Sequence, residues 1–69
     1  MEGKKLQIAR QKLGKTQLQI ANEVGIAKNA YYRYEQGKVL PNVIIGNSIA
    51  KALNTTTEHL WGYKTVERL

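Results

Sequence analysis

Sixty-nine residues leave room for one small domain, which buries only about 60% of its unfolded surface, so self-association is a reasonable expectation. The chain has no cysteine, which excludes disulfides and thiolate metal sites and suits a reducing cytoplasm. Eleven Lys and Arg stand against five Glu and no Asp, and the net charge of +6 draws polyanions toward the surface.

In chain order, the spacing predicts a first helix over Glu2 to Leu13, with Leu6, Ala9, Arg10 and Leu13 on one face. Arg10 is a charge on that apolar stripe. Gly14 stops the helix. Lys15 is expected to pack its stem and to hold its ammonium in water. Thr16 is placed to cap a second helix, its hydroxyl accepting from an unpaired amide one turn on. Ile20, Ala21 and Val24 then recur at helical spacing, with Leu18 off that face. Gly25 ends the helix, because glycine takes the left-handed conformation without a steric penalty. Ile26 is expected to plug the turn.

A third helix is predicted from Lys28 to Gln36, closed by Gly37. Tyr31 and Tyr34 share one face; Lys28, Asn29, Tyr32 and Arg33 share the other. Lys38 to Asn42 reads as a loop, with Asn42 capping a fourth helix over Val43 to Leu53. Ile45, Ile49, Ala52 and Leu53 form its expected core face. Gly46 lies inside it at a cost of about 1 kcal/mol relative to alanine, so that either another side chain or a backbone must fill the space. Asn54 to Thr57 is a turn, Thr56 caps a short last helix through Glu58, Leu60 and Trp61, and Gly62 ends it. No apolar run approaches the length of a bilayer span, and no signal peptide is visible. Short loops between short helices suit a compact all-α bundle in a single domain over residues 1–69.

Catalytic and metal chemistry find little support. His59 is the only histidine and Ser48 the only serine, so neither an acid–base pair nor a ligand cluster assembles from these residues. Tyr31, Tyr32 and Tyr34 could form a stacking platform for single-stranded nucleic acid, but helical periodicity sends Tyr31 and Tyr34 to the core and leaves Tyr32 outside. The stretch from Thr16 to Gly37 has another reading. Helix, short glycine turn and a second helix with a basic outer face make a helix-turn-helix, in which the second helix enters the major groove.

The order and spacing of Gln17, Ala21, Gly25, Glu35, Gly37, Pro41, Ile49, Ala50 and Leu53 resemble the phage repressor and Cro family of DNA-binding domains over roughly Leu6 to Trp61. The chain departs from the family at Lys15 and Gly46, where the family usually carries apolar residues, and at Leu18, where it is usually polar. The resemblance implies a lambda repressor-like fold of five helices. It also implies a salt bridge between Arg10 and Glu35, and a phosphate contact by Gln17, where the free amides and positive dipole end of a helix suit an anion.

The expected function is sequence-specific binding of double-stranded DNA by a transcriptional repressor of prokaryotic or phage origin, with no enzymatic activity, metal or cofactor. Lys28, Asn29, Tyr32 and Arg33 are assigned to base edges, Thr16, Gln17 and Lys38 to the DNA backbone. Arg33 and Lys28 can donate to guanine O6 and N7, and Asn29 can pair with adenine. A homodimer on a pseudo-palindromic operator is expected, with Leu60, Trp61, Tyr63, Val66 and Leu69 as the dimer surface, or with Leu60 and Trp61 finishing the core and the remainder frayed. The alternatives are the antitoxin of a toxin–antitoxin pair and a protein-interaction module. At this length, the chain reads as a Cro-sized protein or a domain cut from a longer one.

Overall fold

A computed structural model describes residues 2–62. Five helices follow in order: α1 (Glu2–Lys12), α2 (Gln17–Val24), α3 (Lys28–Glu35), α4 (Val43–Ala52) and α5 (Thr57–Trp61). Three starts carry the expected caps. Thr16 Oγ1 accepts from the Gln19 amide at 3.1 Å while Gln19 Oε1 accepts from the Thr16 amide at 2.8 Å, a reciprocal capping box. Asn42 Oδ1 accepts from the Ile45 amide at 2.8 Å, and Thr56 Oγ1 from the His59 amide at 3.1 Å. α3 differs: its N-cap is Ala27, which has no side-chain acceptor.

The turn between α2 and α3 is made by Gly25 at φ +87°. Its amide and that of Ile26 both donate to the Ala21 carbonyl, at 2.8 and 3.0 Å. A β-carbon would be strained in this left-handed conformation. Ile26 packs against the core from within the turn. Between α4 and α5 the left-handed position is taken by Asn54 at φ 59°, a residue type that tolerates it.

α2 packs on α3 and α4, α1 packs on α3 and α5, and α4 closes on α5. The core holds Leu6, Ile20, Ala21, Tyr31, Ile49, Ala50, Leu53, Leu60 and Trp61, with Ala9, Val24, Ile26, Tyr34, Ile45 and Ala52 packed around it. The inward stripe of α4 is therefore Gly46, Ile49, Ala50 and Leu53, while Ile45 and Ala52 sit at its rim. Small buried residues on both helices, Ala21 on α2 and Gly46 and Ala50 on α4, suit a close approach of the two.

Besides the core face of α4, where Gly46 and Ala50 take the buried places expected of Ile45 and Ala52, four expectations need correction. α1 ends at Lys12, and Leu13 lies in the following turn, 39% exposed, rather than on the buried stripe. α3 ends at Glu35 and α4 at Ala52, with Gln36 and Leu53 as their C-caps. The Lys15 ammonium is not simply solvated: Nζ pairs with Glu23 Oε2 at 2.7 Å. Finally, Leu60 is fully buried and Trp61 is 7% exposed. α5 turns them onto α1 and α4, so both finish the monomer core and neither offers a dimer surface. Tyr63, Val66 and Leu69, the other members of that surface, lie outside the described residues.

Candidate nucleic-acid interface

α3 is fixed from beneath by a polar cluster at the edge of the core. The Arg10 guanidinium grips the Glu35 carboxylate with two donors, Nε to Oε2 at 2.7 Å and Nη2 to Oε1 at 3.2 Å. Its Nη1 donates to the Lys15 carbonyl at 2.9 Å, which ties in the loop before α2. Gln17 Nε2 donates to Glu35 Oε1 at 2.7 Å. One carboxylate thus holds α1, α2 and α3 together. Only 13% of the Arg10 side chain and 6% of the Glu35 side chain reach solvent.

Burial pushes the Glu35 carboxyl up, but the hydrogen bonds from Arg10 and Gln17 outweigh it, and the group rests below its ordinary pKa. The bond to Glu35 holds Arg10 above its own ordinary value. Tyr31 lies close by, and its buried hydroxyl makes no hydrogen bond of good geometry among the described residues. Burial first, and then the neighbouring Glu35 charge, raise the Tyr31 phenol well above its usual pKa.

The opposite face of α3 is open. Lys28 and Asn29 in the first turn and Arg33 in the last are exposed, as is Lys38 in the loop beyond. Among the described residues the ion pairs are Arg10–Glu35 and Lys15–Glu23, so Lys28, Arg33 and Lys38 carry uncompensated charge. Tyr32, 45% exposed, accepts a hydrogen bond from Gln36 Nε2 at 2.9 Å. That i, i+4 tether lays the ring toward the C-terminal end of α3 and leaves the phenolic hydrogen free to donate.

The start of α2 adjoins this face. Arg10, Lys15, Thr16, Gln17, Leu18 and Lys28 line a shallow depression of about 390 Å³. The capping box occupies the Gln19 amide, while those of Gln17 and Leu18 in the first turn of α2 find no partner among the described residues. Unpaired amides at a positive dipole end, with a lysine alongside, suit a phosphate. The fold thus joins Thr16 and Gln17 to Lys28, and places Arg33, Tyr32 and Lys38 toward the far end of α3.

The Gln17–Glu35 bond and the Lys15–Glu23 pair were not visible from periodicity. The Tyr32–Gln36 contact could have been found from its four-residue spacing. Away from this region, Lys5, Ile8, Lys12, Leu13, Leu53 and His59 are among the residues lining a groove of about 440 Å³ beside α1. Among the described residues no three His, Asp or Glu gather as a metal site, and no helix is long and apolar enough to cross a membrane.

A helix-turn-helix family model matches residues 6–60. The chain belongs to that family and is a domain of the phage repressor and Cro type. It is 40% identical over 53 residues to the cryptic phage CTXphi transcriptional repressor RstR of Vibrio cholerae serotype O1, an overlap of 77% of this chain and 47% of the relative. The chain therefore spans about half the length of the curated relative it matches. No solved structure matches it significantly.

Proposed function

We propose that the chain binds double-stranded DNA at a specific sequence and represses transcription, without enzymatic activity and in the cytoplasm of a prokaryotic host. The observation that carries this reading is the open basic face of α3 set above a rigid Arg10–Glu35–Gln17 clamp. A face that reads base edges must be held still, because hydrogen bonds to bases tolerate little displacement. The relative's role as a transcriptional repressor supports the same reading.

α3 lies in the major groove, with Lys28, Asn29 and Arg33 toward base edges and Tyr32 between bases and backbone. Thr16, Gln17 and Lys38 flank it at the two phosphate strands. The clamp gives Gln17 a second role. Its bond to Glu35 orients the amide, so that its other donor and the first-turn amides of α2 face one phosphate together. Two copies read a pseudo-palindrome with half-sites about 34 Å apart.

Selection of bound sites from random duplex DNA tests the proposal. Enrichment of a symmetric site is the expected result; recovery of unenriched sequence would overturn specific readout.

A further inference from the structure

The groove beside α1 combines apolar side chains with cations that nothing neutralises. Ile8 and Leu13, which line it, are 45% and 39% exposed. Leu53, the C-cap of α4, and His59 of α5 line it from the other side. Lys5 and Lys12 also line it. They share one face of α1 with Ile8, at i, i+3 and i+7, and seven residues of helix set them about 10.5 Å apart. The ion pairs among the described residues are Arg10–Glu35 and Lys15–Glu23, so neither lysine has a partner there. From Lys4 to Lys15 the sequence contains no acid, and among the described residues no acid lines the groove.

Direction separates this groove from the basic face of α3. Arg10 turns toward α3 to reach Glu35. Side chains advance by about 100° per residue along a helix, so Ile8 and Lys12, two residues to either side of Arg10, point to the opposite flank of α1. A ligand held on α3 leaves the groove open. Charge then selects the occupant. A second copy of this chain, at +6, would set like charges against Lys5, Lys12 and His59. Residues 63–69 carry Lys64 and Arg68 against Glu67, a poor match to two lysines.

Spacing sets its conformation. An α-helix laid along α1 brings carboxylates seven residues apart to the same face at the spacing of the two lysines. An extended segment covers that distance in about three residues, which point to opposite sides. We propose that the groove docks an acidic amphipathic helix of a partner protein. Its apolar side chains rest on Ile8 and Leu13, and its two carboxylates meet Lys5 and Lys12. The apolar area is small, so the contact is a transient one, and the charge pairs contribute orientation and speed of encounter more than affinity. The proposal does not depend on the DNA reading: it concerns the flank of α1 turned away from α3.

The probe is a capped helical peptide with two glutamates seven residues apart, leucines three and four residues after the first, and alanine and glutamine elsewhere. Titrated at low salt into the isotope-labelled full chain, it should move the NMR amide signals of residues 5–13 and 53–59 and leave those of residues 28–36 in place. Lys5→Glu/Lys12→Glu, with an unchanged melting midpoint, should bind about tenfold more weakly, as two exposed pairs turn from attraction to repulsion. A peptide with lysines in place of the glutamates should restore binding to that variant. If the variant unfolds, the parent carries the comparison alone: peptides with glutamate changed to lysine, or leucine to glutamine, should each lose the shifts. Equal binding by either altered peptide, or no groove shift with the original one, would overturn the proposal. So would displacement of the peptide by duplex DNA, groove signals that move on concentrating the protein alone, or contacts from residues 63–69 to the groove in the free chain. Those outcomes assign the groove to nucleic acid, a second copy or the chain's own tail.

Discussion

The two faces of α3 are built from the same eight residues and obey opposite rules. Inward, Tyr31 is fully buried and the Glu35 side chain accepts bonds from Arg10 and Gln17. Outward, Lys28, Asn29 and Arg33 are exposed, and no ion pair reaches them among the described residues. A buried charge must be matched inside the protein, because no water remains to solvate it. An exposed one need not be, and its lack of a partner keeps it available for a ligand. Substitutions inside should therefore remove stability, and substitutions outside should remove binding.

The largest effect is expected at the clamp. Arg10→Ala or Glu35→Ala strands the other charge where few of its atoms meet water, at a cost of about 3–5 kcal/mol. That approaches the whole stability of a domain this small. Thermal and urea melts would measure it, and a midpoint within a few degrees of the parent would mean that the pair contributes little.

Acid gives a graded form of the same break. The Glu35 pKa is lowered in the folded state, so its contribution is complete above the ordinary value of 4.5 and is lost as pH falls through the lowered one. Urea midpoints should drop across that acid window in the parent. In Glu35→Gln the drop should be shallower, from an already reduced stability; parallel curves would assign acid sensitivity to other groups.

On the outer face, Asn29→Ala and Arg33→Ala should each cost about 1–3 kcal/mol on the preferred site and relax the choice of one base. Melting should shift little, since surface changes of this kind usually stay within about 0.5 kcal/mol. Titrations on operator and scrambled duplex would separate the cases: equal losses on both would make the face electrostatic only. Lys38→Ala should weaken both duplexes alike and flatten the salt dependence by about one unit per subunit.

The smallest effect sharpens the contrast. Lys15–Glu23 has the same 2.7 Å separation as Arg10–Glu35, but its side chains are 35% and 41% exposed. A double-mutant cycle there should return about 0–1 kcal/mol. A value matching the clamp would show that contact distance, rather than depth, sets the energy.

Local signals carried much of the sequence reading. Thr16, Asn42 and Thr56 act as caps, Gly25 turns the chain, and Tyr31 and Tyr34 face away from Lys28 and Arg33. Each depends on neighbours three or four residues apart, whose positions follow once a helix forms. Arg10 stood out as a misplaced charge, but its partner came only with the family resemblance, because 25 residues separate it from Glu35.

Tertiary packing decided the rest. Leu13 and Leu60 are both leucines near helix ends, yet one is 39% exposed and the other fully buried, according to which element lies opposite. Gln17 meets Glu35 across 18 residues, and Lys15 meets Glu23 across 8. The apolar surface at Ile8 became visible only once the core was complete without it. The amino-acid sequence alone determined the helices, their caps and the polar face of α3, because periodicity and capping act within a turn. Which side chains then met, and which were left uncovered, depended on how those helices approached one another, and pairings across distant residues leave no period in the sequence.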